Sequence, residues 1–118
     1  MKMRIKGDSL RLRLTQTEVA ELASGGACSV TMNLAQGALT YKVCSGAVDN
    51  LSAGLEHDLL QVTVPRARIM QWAQSDEVTI SGQHGPLQIL VEKDFACLKP
   101  RPGDDDLDTF RHPGAPLS

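Results

Sequence analysis

Basic side chains recur at every second position in two short stretches near the start of the chain. Because alternate side chains of a β-strand point to the same face, this spacing gathers charge on one side of a sheet. Clustered cations of this kind attract phosphates, carboxylates and other anions. The five residues are Lys2, Arg4, Lys6, Arg11 and Arg13. We predict that they form one solvent-facing patch that binds a protein partner or an anionic ligand. The alternative is a charged face that only keeps an edge strand from aggregating.

A second stretch with mixed chemistry, VEKDFACL, lies at the end of the last predicted strand. Its charged, aromatic and thiol side chains are Glu92, Lys93, Asp94, Phe95 and Cys97. Strand alternation places Glu92 and Asp94 on one face and Lys93 on the other, among apolar neighbours. We expect Lys93 to have a carboxylate partner there. The role of this motif stays open, and the alternative is a strand end that docks Phe95 and Leu98 onto the core.

The sequence has no recognisable catalytic layout. It lacks a glycine-rich phosphate loop, a nucleophile elbow and paired histidines at helical spacing. The histidines fall in predicted turns or in the C-terminal segment, and the cysteines are too scattered for a disulfide framework or a zinc site. These residues are His57, His84, His112, Cys28, Cys44 and Cys97. We therefore predict that the protein is not an enzyme and holds no metal or cofactor, and that Asp104–Asp106 are solvated.

The elements that position these residues occur twice, fifty residues apart. Ser9–Val30 and Leu59–Ile80 both change from alternating to helical spacing and back to alternation at the same places. Because periodicity is the primary signal of secondary structure, the shared pattern predicts a duplicated unit. The offset aligns Leu10, Leu12 and Leu14 with Leu60, Val62 and Val64. It further aligns Val19, Leu22, Cys28 and Val30 with Ile69, Trp72, Val78 and Ile80.

Each unit reads as two strands, a short helix and a hairpin. Thr15 and Glu18 fit a capping box at the start of the first helix, and glycines after Ser24 end it. Pro65 opens the second helix, since its fixed φ suits a first turn. Inward positions are assigned to Met1, Met3 and Ile5 on the first strand and to Cys28, Val30, Met32 and Leu34 on the third.

The predicted fold class is α+β, mostly β, with a duplicated β-β-α-β-β unit packed as an intramolecular pseudo-dimer or a small barrel. Residues 1–98 form a single compact domain, with repeat one over about 1–44 and repeat two over about 51–94. Residues 99–118 change composition to a Pro- and Asp-rich tail that we expect to be dispensable for folding.

The order of elements resembles the swapped-hairpin fold of the transition-state regulators and of the antidotes of toxin–antidote pairs. The matching residues are the Gly7–Leu10 turn, Arg13–Thr15 entering a helix, and Val62–Arg66 in the second half. In that family two units interlock their strands, so a chain with two copies would be its own pseudo-dimer.

The resemblance also implies DNA as an alternative ligand. However, the second half carries Ser52, Gln61 and Thr63 where the first is basic, which would spoil a two-fold reading of a palindromic site.

The stretches IKGDSLRLRLTQTEV and LVEKDFACL, with the acidic and proline-containing end, resemble a family of small uncharacterised bacterial proteins. That resemblance spans the whole chain and implies no activity.

Composition sets the remaining expectations. The net charge is −2, and no stretch approaches the apolar length of a membrane helix or a signal peptide. We therefore expect a cytoplasmic protein without membrane contact, either a monomer or a weak homodimer. The predicted function is a non-catalytic binding module for a protein partner or anionic ligand; the alternative is a DNA-binding transcriptional regulator of the swapped-hairpin type.

Overall fold

A computed structural model describes residues 1–94 and contains eight strands and two helices in the order β-β-α-β-β, repeated once. Phe95, Cys97, the acidic run Asp104–Asp108 and the expected tail 99–118 lie outside the described residues. The elements are β1 Lys2–Lys6, β2 Ser9–Leu14, α1 Gln16–Ala23, β3 Ala27–Leu34, β4 Gly37–Gly46, β5 Ser52–Glu56, β6 Leu59–Pro65, α2 Arg66–Ala73, β7 Thr79–His84 and β8 Leu87–Lys93.

The two halves of the chain are interlocked. One four-stranded sheet has the order β1-β2-β8-β7 and the other β3-β4-β6-β5, so each sheet contains one hairpin from each half. Strands within a hairpin are antiparallel, whereas β2–β8 and β4–β6, which join the halves, are parallel. The predicted mostly-β, duplicated architecture is confirmed, and each unit places its two hairpins in different sheets.

The register shows where the offset of fifty residues fails. In one sheet Leu12 pairs with Val91, which pairs with Ile80. In the other sheet Val62 pairs with Val43, which pairs with Cys28. The sequence alignment paired Cys28 with Val78. Since Leu12 and Val62 are equivalent, the register shows that Cys28 corresponds to Ile80 instead. Val78, which the alignment placed in a strand, lies before β7, because two additional residues separate α2 from β7.

The core lies between the sheets and the helices and is built from aliphatic residues and one tryptophan. Its buried members are Leu10, Leu12, Leu14, Leu22, Cys28, Val43, Leu51, Val62, Val64, Ile69, Trp72, Ile80, Ile89 and Val91. Met1 and Met3 pack partly against this core, but Ile5, Met32 and Leu34 are exposed. Alternation predicts their side of the strand correctly, since Ile5 pairs with the buried Leu10 and Met32 with the half-buried Leu39, but not their exposure. All three residues lie near the hairpin turns of β1 and β3, which are edge strands.

The helices begin as their sequences predict. Thr15 Oγ1 accepts the Glu18 amide hydrogen and the Glu18 carboxylate accepts the Thr15 amide hydrogen, so the capping box is confirmed. Gly25 follows the α1 cap with φ of 93°, a conformation that glycine adopts at little cost. Pro65 stands at the N-cap of α2 without a side-chain hydrogen bond.

Trp72 replaces Leu22 at the equivalent helix position and is fully buried. Its Nε1 donates to the carbonyl oxygen of Val78 at 2.8 Å. Val78 lies in the segment between α2 and β7 that is longer than its counterpart in the first half. The longer connection therefore provides both the room and the hydrogen-bond acceptor that the larger side chain needs.

The β5–β6 turn holds two non-glycine residues in the left-handed region, His57 with φ of 51° and Asp58 with φ of 64°. Turns with positive φ at both central positions favour Asn-Gly. We expect His57→Asn combined with Asp58→Gly to raise the free energy of unfolding by about 0.5–1 kcal/mol. Urea denaturation followed by circular dichroism measures this change. Gly7→Ala at the β1–β2 turn, where φ is 56°, is the opposing control and should destabilise. A destabilised His57→Asn, Asp58→Gly variant would contradict the interpretation.

Candidate functional site

The five predicted cations do share one face of a sheet. Strands β1 and β2 pair Lys2 with Arg13 and Arg4 with Arg11, while Lys6 lies opposite Ser9. Because paired residues point to the same side of a sheet, all five side chains lie on the outer face of the β1-β2-β8-β7 sheet, away from the core. We call this surface the basic face.

Two carboxylates, one in the neighbouring strand β8 and one just after it, border the basic face. Glu92 of β8 contacts Arg11 Nε at 3.5 Å and Arg13 Nε at 3.4 Å. Asp94, one residue beyond β8, contacts Lys2 Nζ at 3.5 Å. Glu92 and Asp94 share a face as predicted, but their place beside the cations could not be read from the sequence, because it depends on parallel pairing between residues about eighty positions apart.

The cations outnumber these carboxylates. Arg4 and Lys6 are exposed and have no ion pair within the described part of the chain. A concavity of about 130 Å³ lies among Lys2, Met3, Arg4, Arg11 and Arg13. In residues 1–94 both paired arginines use Nε for Glu92, which leaves their terminal nitrogens available to a ligand. The surface thus combines an excess of positive charge with a recess of the size of a small anionic group.

The equivalent face of the other sheet lacks this charge. Ser52 pairs with Thr63, and Gly54 pairs with Gln61, at the positions that Lys2, Arg13, Arg4 and Arg11 hold in the first sheet. Cys44 stands where Glu92 does, and its Sγ lies 3.8 Å from the Thr63 hydroxyl. The two sheets share a backbone plan but differ in surface chemistry.

Within residues 1–94, Lys93 makes no ion pair, and its contacts are with a backbone carbonyl and an aromatic ring. Its Nζ donates to the carbonyl oxygen of Ser75 at 2.8 Å and lies 5.8 Å from the centroid of the Trp72 ring. An ammonium over an aromatic face is attracted by the ring quadrupole. Lys93 therefore ties the end of β8 to α2 and covers the tryptophan. Phe95 and Cys97 of the same motif lie outside the described residues.

Neither the described histidines nor the described cysteines form a reactive cluster. The exposed His84 uses Nδ1 to contact the backbone of Ala53, with the amide nitrogen at 3.0 Å. Burial raises the pKa of the Cys28 thiol, with further contributions from the nearby Glu18 and Glu21 carboxylates. Cys28 is thus a core thiol, as predicted. Within residues 1–94 no group of three His, Cys, Asp or Glu side chains could hold a metal ion.

Comparison with known proteins identifies the family but not an activity. Over residues 1–94 neither helix is long and apolar enough to cross a bilayer. The chain has no match among curated proteins and none among solved structures. A model of DUF7009, a family of unknown function, matches residues 1–114, and the chain therefore belongs to that family.

Proposed function

We propose that the protein is a non-catalytic binding module whose basic face binds carboxylates of a protein partner. The observation that carries this proposal is the concentration of five cations on one face of a sheet, four of which line a concavity, with two carboxylates beside them. The whole chain has a net charge of −2, so the positive charge is local. A local field of this kind steers acidic partners and selects their orientation more than it adds raw affinity.

The geometry favours carboxylates because of how the arginines are held. Glu92 contacts the Nε atoms of Arg11 and Arg13 and restrains both side chains on the sheet surface. A guanidinium fixed in this way offers its remaining N–H groups in a planar fork that matches a carboxylate. Arg4 and Lys6 extend the surface as exposed single charges, so an acidic peptide could contact several cations in succession.

DNA binding is the second candidate, supported by interlocked hairpins like those of the swapped-hairpin regulators. One feature counts against it. The charge is not repeated on the equivalent sheet, whose face carries Ser52, Gln61 and Thr63. A carboxylate-bearing protein segment needs only the basic half of the molecule.

The test compares a variant of Arg4 and Lys6, which have no ion pair within residues 1–94, with a matched variant on the other sheet. Arg4→Ala with Lys6→Ala should weaken binding of an oligoglutamate peptide about tenfold, since two exposed charge contacts contribute about 0.7 kcal/mol each. Its melting temperature should stay unchanged, because neither side chain has a partner in the described structure. Lys42→Ala, on the outer face of the other sheet, is the control and should bind normally.

Glu92→Gln tests the same surface in the opposite direction. It removes a negative charge but keeps an amide oxygen that can accept from the Nε atoms of Arg11 and Arg13. The arginines therefore stay restrained, and peptide binding should become stronger. Isothermal titration calorimetry measures both changes.

Equal affinities for the wild type and the Arg4→Ala, Lys6→Ala variant would contradict the proposal. Tighter binding of duplex DNA with a log–log salt slope of about −4 to −5, as five phosphate contacts imply, would favour the DNA candidate.

A further inference from the structure

A groove of about 620 Å³ lies between α1 and α2, separate from the basic face. Its apolar lining comes from the end of β2 and from both helices. The residues are Leu14, Val19, Ala20, Ala23 and Ala73. A recess of this volume with a mostly apolar lining is within the range that binding sites occupy in proteins.

The groove is open because small side chains line it. Ala20 of α1 is equivalent to Met70 of α2, and Val19 to Ile69, at the constant offset between the two helices. The first half therefore has a methyl group where the second has a long thioether side chain. Ala20 is exposed and Ala23 is half-buried, so apolar surface of α1 stays uncovered along the groove, and an apolar occupant would remove it from water.

The end of the described chain points to one occupant. Lys93 and Asp94, the last two described residues, themselves line the groove. The Asp94 amide donates to the Leu14 carbonyl oxygen at 2.8 Å, which fixes the chain beside the groove as it leaves β8. The residues that follow are Phe95, Ala96, Cys97 and Leu98, an apolar run before the charged and proline-containing remainder.

We propose that the groove is the docking site of the chain's own Phe95–Leu98 segment. A segment tethered directly at the groove has an effective concentration in the millimolar range or above, so it outcompetes most free ligands without any additional contact. A phenylalanine side chain alone buries about 150–250 Å² when enclosed. The residues Phe95 and Leu98 supply the volume that Ala20, Ala23 and Ala73 leave unfilled. The inference does not depend on what the basic face binds.

A disulfide trap tests the docking directly in the full-length protein. Ala20→Cys places a thiol in the groove, where docking of the segment would bring Cys97 to it, and Cys44→Ser removes the half-buried thiol of the other sheet. Under mild oxidation the engineered thiol should form an intramolecular disulfide with Cys97 about tenfold faster than that of the matched control Glu21→Cys. Glu21 is exposed on the same helix and does not line the groove. Peptide mapping identifies the bonded pair. Equal rates in the two variants would overturn the proposal, and a bond between two chains would assign the groove to a second copy instead.

Thermal unfolding provides a measurement that needs no engineered thiol. Phe95→Ala should lower the melting temperature by several degrees, because docking of this ring stabilises the folded state. Phe110→Ala, the other phenylalanine of the chain, is the matched control and should leave the melting temperature unchanged. If the two variants unfold at the same temperature, Phe95 does not occupy the groove.

Discussion

Replacing Trp72 by alanine is expected to lower the free energy of unfolding by about 3–5 kcal/mol. The ring is fully buried in the core, and its Nε1 donates to Val78 O. Removing it leaves a cavity between α2 and the sheets and takes away the surface over which the Lys93 ammonium lies. Urea denaturation followed by far-ultraviolet circular dichroism measures the change, since the variant has no tryptophan fluorescence.

Two further variants show whether the loss of stability comes from the lost side-chain volume and from the buried position of residue 72. Trp72→Leu introduces the residue that Leu22 provides at the equivalent site, and it should cost less than alanine because more of the volume is retained. Met70→Ala, on the exposed side of the same helix, should change stability by about 0.5 kcal/mol or less. An unchanged unfolding midpoint for Trp72→Ala would mean that the ring does not anchor the core.

Neither half of the chain is expected to fold as a monomer by itself. A fragment of residues 1–50 contains β1 to β4, but β2 lacks β8 and β4 lacks β6, so each hairpin has lost the strand it pairs with. A lone two-stranded hairpin is marginal at best in water. Circular dichroism and size-exclusion chromatography should show a disordered or associated fragment. An equimolar mixture of residues 1–50 and 51–118 should restore a cooperative unfolding transition close to that of the intact chain.

The intact protein and each fragment alone are the controls for this reconstitution. Cooperative unfolding of monomeric 1–50 would contradict the interlocked arrangement, because a half that folds alone needs no strands from its neighbour. Failure of both the fragments and the mixture to gain structure would show instead that the covalent link supplies stability that association cannot replace.

Local sequence patterns predicted the helices and strands better than they predicted how these elements pack against one another. The capping box of Thr15 and Glu18, the helix end at Gly25 and the alternation in β2 depend on neighbours in sequence, so they could be read directly. The repeat and the resemblance to swapped-hairpin proteins together indicated the interlocking. The exposure of Met32 and Leu34 could not be predicted, because alternation does not show how far a hairpin extends beyond the layer packed on it.

The residues of the basic face were predicted correctly, but their contacts with the neighbouring carboxylates were not predicted. Alternation places Arg11 and Arg13 on one side of β2, yet the contact of both with Glu92 depends on the β2–β8 register. The contacts of Lys93 with Ser75 and Trp72 were not predicted, for a similar reason. These contacts depend on the longer α2–β7 connection, whose effect the constant offset had concealed. The groove between the helices depends on packing and had no signal in the sequence.

The composition of the outermost strands has a consequence for handling the protein at high concentration. β1 is an edge strand that carries three cations, and like charges discourage another chain from pairing with it. β3 is also an edge strand, but Ala27–Leu34 contains no charged residue and exposes Met32 and Leu34 near its end. Of the other two edge strands, β5 carries Glu56 and β7 exposes no large apolar side chain, so precipitation during purification or storage should start at β3. Lysine in place of Met32 would be the first substitution to make when preparing concentrated samples.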